Sequence, residues 1–335
     1  MKKIVTILLS IMMILALAAC NSSSTPTPTS ETTPEPTEET KVVRIGVLQL
    51  LTHDALDAAF DGFKAGLEEA GFVEGKNVEF DFQNPEGDQS NLATMADHLI
   101  AEDLDLILAI ATPAAQQLVS VNDHTPILAT AITDFMGAGL VETNDAPGGL
   151  LSGMSDNCPM DAQLNLLLSV KPDVETLGII YTSSEVNSEI QANQMHEVCA
   201  SNGIETKIVT ISDKTMIDDA MHSFVGEVDA IYIPTDNNIA SAMGSVDVVA
   251  RENGIITLCG ESNMVSQGGA LSLGVNYFTL GQKTAEQAVA ILNGANVAEI
   301  PIGFDTTGTV YFNSKTLAEL GLELPAGVTG EDMAQ

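Results

Sequence analysis

Short apolar runs alternate along the chain with longer segments whose apolar residues recur at helical spacing. The short runs are rich in Val and Ile, which is typical of buried strands, and the longer segments have the period of amphipathic helices. The first series has predicted strands over 42–48, 78–82, 104–109 and 127–131, separated by predicted helices over 55–70, 89–102 and 113–119. This order predicts a parallel sheet with helices on both faces.

A second series follows a loop rich in Gly and Pro over 137–153. Its predicted helices cover 161–170, 188–200, 215–225 and 239–252, and its predicted strands cover 176–181, 206–211, 230–233 and 255–258. One more helix over 281–293 and strands over 300–304 and 309–312 complete the pattern. We therefore expect an α/β protein of two lobes, each with a parallel sheet, and a ligand cleft at the carboxyl ends of their strands.

The chain continues past both series, which suggests that it returns to the first lobe and leaves it again. We expect a first lobe of residues 42–155 plus about 277–302 and a second lobe of 156–276 plus about 303–325. The two lobes would then be joined by a hinge that the chain recrosses near Asn276 and near Ile302.

The N-terminus has the features of a secretory signal. Lys2 and Lys3 precede an apolar run over 4–19 that is too short for a convincing membrane span, and the sequence LAAC ending at Cys20 resembles the bacterial lipobox. We expect a signal peptide over 1–19, a lipidated Cys20 and a disordered Ser/Thr/Pro/Glu linker over 20–41. The protein would be extracytoplasmic and anchored to the cell membrane by its lipid.

Composition excludes several classes of function. The 335-residue chain has a formal net charge of −34. The only charged residues of the predicted signal are Lys2 and Lys3, so its loss makes the chain more acidic, and nucleic acid is not an expected partner. The cysteines at 158, 199 and 259 are expected to be buried free thiols. No catalytic motif or metal-ligand spacing is present, and His53 is expected at the surface or the rim of the cleft. We expect no enzyme activity, no cofactor and no metal.

The stretch 178–191, GIIYTSSEVNSEIQ, joins a predicted buried strand to a predicted helix through a polar turn. The side-chain oxygens of Ser184, Asn187 and Ser188 can cap that helix, whose first N–H groups have no partner within it. Turns of this kind bind small anions and carboxylates at the carboxyl ends of strands. We therefore expect these three residues to contact a ligand.

The first lobe offers a second helix start. Thr112 and Pro113 would be the N-cap and the first helical residue, leaving the N–H groups of Ala114 and Ala115 free for a ligand carboxylate, unless this is an ordinary capped helix. Other candidates follow predicted strands: Gln49, Thr52, Thr133 and Asp134. Asp134 would accept from an ammonium or serve only as a turn residue.

The second lobe offers carboxylates. Asp236 and Asn237 follow the predicted strand 230–233, and Asp236 would either pair with a ligand ammonium or cap the next helix, with Glu261 as an alternative ammonium partner. An amino acid presents an anion and a cation close together, so helix starts combined with one carboxylate suit a zwitterion. The sequence thus favours an amino-acid-like ligand.

Several runs resemble the extracytoplasmic substrate-binding proteins of tryptophan/tyrosine-type amino-acid ABC transporters. They occur in consistent order: ATPAAQ at 111–116, AITDFMGAGLV at 131–141, YTSSEVNS at 181–188, VDAIYIPTDNNIASA at 228–242 and GGALSLGVNYFTLG at 268–281. The resemblance implies the type I periplasmic-binding-protein fold of two Rossmann-like lobes with a closing cleft. It also implies a monomer whose partners are an ABC permease and its ATPase.

The function expected from pattern and resemblance together is capture of a small amino acid by lobe closure for an ABC importer, with an aromatic or other hydrophobic amino acid favoured. Three alternatives remain open at this level. The protein could be a sensory binding protein for a receptor, the transported ligand could be a nucleobase or a sulfur compound, or the chain could be an extracellular hydrolase.

Overall fold

Two mainly parallel sheets form the framework of the computed structural model, which describes residues 41–305 and 308–334. The predicted signal peptide, Cys20 and the predicted linker up to residue 40 lie outside the described residues. The strands are β1 Val43–Gln49, β2 Val78–Gln83, β3 Leu106–Ile110, β4 Ile127–Ile132, β5 Leu151–Ser155, β6 Thr176–Thr182, β7 Glu205–Ile211, β8 Ala230–Ile233, β9 Ile256–Cys259, β10 Leu271–Gly274, β11 Gly303–Phe304, β12 Thr309–Phe312 and β13 Glu331–Asp332.

Helices cover both sheets. They are α1 Asp54–Glu69, α2 Gln89–Ala101, α3 Thr112–Val121, α4 Met160–Val170, α5 Val186–Ser201, α6 Ile217–His222, α7 Asn237–Ala240, α8 Met243–Glu252, α9 Ser262–Ser266, α10 Tyr277–Leu292 and α11 Ser314–Glu319, with 3-10 turns at Lys214–Met216 and Val297–Glu299. Within the described residues, no helix is both long enough and apolar enough to cross a membrane.

Strand order follows the predicted alternation of strands and helices. In the described part of the chain the first sheet has the order β11-β5-β4-β3-β1-β2, and the second has the order β13-β12-β10-β9-β8-β6-β7. All pairs are parallel except β10 with β12. Since β11 lies in the first sheet and β10 and β12 in the second, the chain returns to the first sheet after β10 and leaves it again after β11.

The core of the first sheet explains why its strands are almost purely apolar. Every residue of β3 and β4 is buried, because helices cover both faces of the sheet. Full burial of a Leu or Ile side chain contributes about 1.5–3 kcal/mol relative to exposure, so these runs have little tolerance for polar residues.

Close packing of α1 against α10 fixes where α10 begins. Gly62 of α1 lies against the carbonyl oxygen of Phe278, and Gly281 of α10 lies against that of Ala59; a Cβ atom at either glycine would overlap that oxygen. This contact sets the position of Tyr277, the first residue of α10.

Elements α9, β10, α11 and β13 were not predicted, and two predicted segments differ from the structure. The predicted helix 239–252 is divided, because Ala242 leaves the helical conformation (φ −134°, ψ 24°) between α7 and α8. The predicted loop 137–153 contains the start of β5, whose Gly153 has a φ of +155° and lies against the carbonyl of Ala129. Only glycine allows this approach, and glycine lowers the strand signal of the sequence.

Candidate functional site

A cavity lies where the carboxyl ends of the two sheets meet. Its lining comes from both sides: His53, Leu56, Ala131, Asp156 and Tyr277 from elements of the first sheet, and Asn187, Thr235, Asp236, Asn237, Ala240 and Glu261 from those of the second. The volume of this cavity is only about 10 Å³. That is room for about one water, so a larger ligand requires the walls to separate.

Two turns of the second sheet are joined by a reciprocal pair of buried carboxylates, which we call the two-turn bridge. Glu185, after β6, accepts hydrogen bonds from the backbone and side-chain N–H groups of Asn237 (3.0 and 2.5 Å) and Asn238 (3.1 and 3.0 Å). Asp236, after β8, accepts from the backbone N–H and the hydroxyl of Thr182 at 2.6 and 2.8 Å. Each turn thus supplies the donors for the other turn's carboxylate.

Burial determines the protonation of the bridge. Desolvation, followed by the nearby charge of Asp236, raises the pKa of Glu185 to about 8, and desolvation also raises the pKa of Asp236. The hydrogen bonds that the two carboxylates accept oppose this rise without cancelling it. These two groups therefore favour holding a proton while the cleft excludes water.

Two hydrogen bonds connect the cleft walls directly. Thr133 Oγ1, after β4, lies 2.8 Å from Thr235 Oγ1, after β8, and His53 Nε2 lies 3.2 Å from Asn237 Oδ1. Burial lowers the pKa of His53, so its ring is neutral in this conformation. The walls are in direct contact, as in the closed form of a two-lobe receptor.

Three buried oxygen atoms that belong to lining residues have no hydrogen-bond partner. They are Asp156 Oδ1, Glu261 Oε1 and Asn187 Oδ1, and their residues are 5%, 3% and 2% exposed. The second oxygen of Asp156 accepts from Tyr277 (2.8 Å), and that of Glu261 accepts from the backbone N–H of Asn263 (2.7 Å). Asn187 Nδ2 donates to the Thr235 carbonyl at 2.8 Å, which leaves its Oδ1 as the free end.

Burial also shifts the pKa values of the two carboxyl groups among these three residues. It raises the pKa of Glu261 to about 8 and raises that of Asp156. Among the described residues that line the cavity, none is Lys or Arg. The cavity therefore lacks a cation from the protein for its carboxyl groups.

Backbone strain accompanies the cavity on the side of the first sheet. Ala111 and Ala131 have φ values of +83° and +57°, in a region that residues other than glycine seldom adopt. Ala131 lines the cavity at the end of β4. Such strain is concentrated at functional sites.

The candidates of the first lobe have different surroundings. Thr133 reaches the opposite wall, as described above, whereas the buried Gln49 donates to Asp57 at 2.6 Å. Thr52 is exposed and donates to Glu86 at 2.7 Å. Asp134 accepts from the backbone N–H of Gly137 at 2.9 Å, which is the turn role left open from the sequence.

The predicted N-cap at Thr112 is wrong. Ala111 is the N-cap, no side chain caps α3, and Thr112 is the first helical residue, with a buried hydroxyl that has no partner. Ala114 and Ala115 are fully buried, and the N–H of Ala115 bonds to the Ala111 carbonyl, so it is not free. The strained backbone of Ala111 starts the helix one residue early, which a propensity-based reading does not anticipate.

The candidates of the second lobe lie nearer the cavity. Asn187, Asp236, Asn237 and Glu261 line it, and Ser188 is buried and bonds to Asp236, but Ser184 is exposed. Asp236 also accepts from the N–H of Ile239 at 3.0 Å and so caps α7. In this conformation Asp236 therefore has the helix-capping role that the sequence left open beside ammonium binding.

Sequence reasoning missed three residues and misplaced one. Asp156, Glu185 and Thr235 were not candidates, although each lies within three residues of the end of a strand. His53 was expected at the surface or rim, but it is buried, caps α1 and lines the cavity. The position of Asp156 after β5 was hidden because the start of β5 was read as loop.

Comparison with known proteins identifies the family. The family described as ABC transporter substrate binding protein matches residues 44–332. The chain belongs to this family. It is 35% identical to a tyrosine-binding protein of Clostridioides difficile over 323 residues, which cover 96% of this chain and 93% of that protein.

Two solved structures are also similar. The ABC domain in complex with L-Trp from Streptococcus pneumoniae has a TM-score of 0.83 and 36% identity, covering 86% of this chain and 97% of that one. The ligand-free, open structure of a substrate-binding protein with adhesive properties from Clostridium difficile has a TM-score of 0.69 and 38% identity, covering 88% and 100%.

These matches confirm the predicted fold, a type I periplasmic binding protein with two α/β lobes. The matched family is one of substrate-binding proteins. In the described part of the chain no group of His, Cys, Asp and Glu could hold a metal ion, and Cys158, Cys199 and Cys259 are free and buried.

Replacing Glu185 by Ala is expected to destabilise the protein by about 3 kcal/mol or more, because four donors on Asn237 and Asn238 lose their acceptor and the two on Asn237 are buried. Urea unfolding measures the change. Glu189→Ala is the matched control, because Glu189 is exposed in the first turn of α5, the helix that Glu185 precedes, and its replacement should change stability by no more than about 0.5 kcal/mol. Equal stabilities of the two variants would contradict the structural role of the bridge.

The ligand-free protein should lose stability as pH rises from about 4.5 to 8. Because the folded pKa of Glu261 is raised from 4.5 to about 8, the folded state holds a proton that the unfolded chain has released in this window. The Glu261→Gln variant should have a flatter profile, by up to about 1.4 kcal/mol per pH unit.

Urea unfolding at several pH values between 4.5 and 8 tests this. Glu189→Gln, on the exposed face of α5, should keep the wild-type slope. A Glu261→Gln profile that parallels wild type would show that Glu261 does not hold a proton in the folded state.

Proposed function

We propose that this protein is the solute-binding component of an ABC importer that captures a small amino acid by closure of two lobes, with an aromatic or other hydrophobic amino acid favoured. Family membership gives the substrate-binding role. Support for the ligand class comes from two relatives more than 30% identical, one described as tyrosine-binding and one solved with L-Trp.

The observation that carries the proposal is the acidic cavity between the two sheets. It has carboxyl oxygens without partners and no Lys or Arg in its lining, so it suits a ligand with a positive charge. Leu56, Ala131, Ala240 and the ring of Tyr277 supply apolar contact surface in the same cavity. An ammonium group next to an apolar side chain matches both parts of this lining.

Closure is supported by the conformation of the chain. Its TM-score is higher for the L-Trp complex than for the open, ligand-free structure, although its identity to the second is slightly higher. The direct bonds Thr133–Thr235 and His53–Asn237 join the two walls only when the lobes are together. A ligand that contacts both walls would therefore shift the population from open to closed.

The finer cellular role is part of the same proposal. Cys20 would carry the lipid that anchors the protein outside the cytoplasmic membrane, residues 20–41 would be the linker, and an ABC permease with its ATPase would receive the ligand. We also retain the lobe boundaries, 42–155 plus about 277–302 and 156–276 plus about 303–325. The presence of β11 at 303–304 in the first sheet supports a boundary slightly later than 302.

A thermal-shift screen of the purified protein against the twenty amino acids, with nucleobases and D-glucose as controls, tests the ligand class. We expect an aromatic or other hydrophobic amino acid to stabilise the protein, by about 2.7 kcal/mol at a hundred times its dissociation constant. The proposal is wrong if a nucleobase raises the melting temperature and every amino acid leaves it unchanged.

Cell fractionation tests the anchor. The wild-type protein should be found with membranes, and Cys20→Ser should remove the lipid attachment site and release the protein or leave its signal uncleaved. Cys199→Ser is the matched control, because this buried thiol lies in α5 and should not affect anchoring. An unchanged size and membrane fraction for Cys20→Ser would exclude lipidation at Cys20.

A further inference from the structure

We propose that Asp156, Glu261 and Asn187 together bind the primary ammonium of the ligand, and that this ammonium, rather than the ligand carboxylate, is the group on which recognition mainly depends. The inference rests on the proposed function and extends it, because it assigns the charge recognition of the cavity to three residues. Asp156 was not identified from the sequence.

The donors of an ammonium match the free acceptors of the cavity. A primary ammonium has three N–H donors and no acceptor. Asp156 Oδ1, Glu261 Oε1 and Asn187 Oδ1 are three acceptors without partners, each on a residue at least 95% buried that lines the cavity. Buried polar atoms are almost always hydrogen-bonded, so three orphan acceptors at one cavity indicate a ligand rich in donors.

The three side chains are held in place by hydrogen bonds to their other polar atoms. The Tyr277 hydroxyl holds one oxygen of Asp156, the backbone of Asn263 holds one oxygen of Glu261, and the Thr235 carbonyl holds the amide nitrogen of Asn187. Each side chain therefore presents its free oxygen without rearrangement, as preorganised binding requires. Asp156 and Glu261 belong to opposite walls, so an ammonium between them would also favour closure.

Asp236, the other candidate for the ammonium, is already fully engaged in hydrogen bonds. Its two oxygens already accept from the N–H and hydroxyl of Thr182 and the N–H of Ile239. These bonds belong to the two-turn bridge and to the cap of α7. Recruiting Asp236 to a ligand would leave donors of the bridge unpaired, whereas Asp156 and Glu261 can bind without such a loss.

The ligand carboxylate has no comparable partner. The described lining has no Lys or Arg, and its one imidazole, His53, donates its Nε2–H to Asn237 Oδ1 on the opposite wall. A carboxylate placed in this cavity would meet carboxyl groups and no cation among the described lining residues. We therefore expect removal of the ligand carboxylate to weaken binding less than removal of its ammonium does.

Two close analogues of L-tyrosine separate these contributions. In 4-hydroxyphenyllactate a hydroxyl replaces the ammonium at nearly constant size, and in tyramine a hydrogen replaces the carboxylate. We expect the hydroxy acid to bind the purified full chain at least a hundredfold more weakly than L-tyrosine. Tyramine should lose less affinity than the hydroxy acid does. If another amino acid binds best in calorimetry, its own 2-hydroxy acid and amine replace these probes.

Variants locate the effect. Glu261→Gln and Asp156→Asn preserve shape and should each weaken L-tyrosine binding by about ten- to a hundredfold, with little effect on the hydroxy acid. Glu189→Gln, on the exposed face of α5, should bind like wild type. Circular dichroism and melting temperatures identify any variant that fails to fold, and the analogue comparison with wild-type protein does not depend on the variants.

The outcomes distinguish the inference from the proposed function. If L-tyrosine and its hydroxy acid bind equally well, or if tyramine loses more affinity than the hydroxy acid, the ammonium assignment is overturned while the amino-acid role stands. If both conservative variants keep wild-type affinity, these residues are not the binding group. If no amino acid binds the wild-type chain, the proposed function and the inference both fail.

Discussion

The exchange of hydrogen bonds between the turns after β6 and β8 is the constraint on which the binding face of the second sheet depends. Two buried carboxylates, Glu185 and Asp236, would each be costly in isolation, because burial strips them of water and no cation compensates. Each is instead surrounded by donors from the other turn. Neither turn can move alone without leaving a buried carboxyl group and its former donors unpaired, so the two strand ends form one rigid surface.

That rigid surface positions the groups that meet the first lobe. Asn237, whose N–H groups hold Glu185, also presents its Oδ1 to His53, and Thr235, next to Asp236, presents its hydroxyl to Thr133. The hydrogen bonds across the cleft are therefore made by residues whose positions are fixed by hydrogen bonds within the second lobe. The cavity has room for about one water, so the two lobes must move apart before a ligand can enter.

Repeating patterns in the sequence predict the fold well, but they do not predict single contacts between turns that are distant in the sequence. Buried strands such as β3 and β4 are recognisable because nearly every residue is apolar, whereas β5 was missed because Gly153 is required by a close backbone approach that gives no strand signal in the sequence. Asp236 and Glu261 were recognised because they follow strands. Glu185 and Asp156 were not, because their importance comes from partners about 50 and 120 residues away, a separation that local spacing does not encode.

The most direct test of this account is a crystal structure of the protein grown with its tightest-binding amino acid. The account predicts a ligand between the two sheets, its α-nitrogen within hydrogen-bond distance of Asp156 Oδ1, Glu261 Oε1 and Asn187 Oδ1, and the bonds between Glu185 and Asn237 unchanged. A ligand whose nitrogen contacts Asp236 while the two-turn bridge is broken, or a ligand bound outside the cleft, would contradict it.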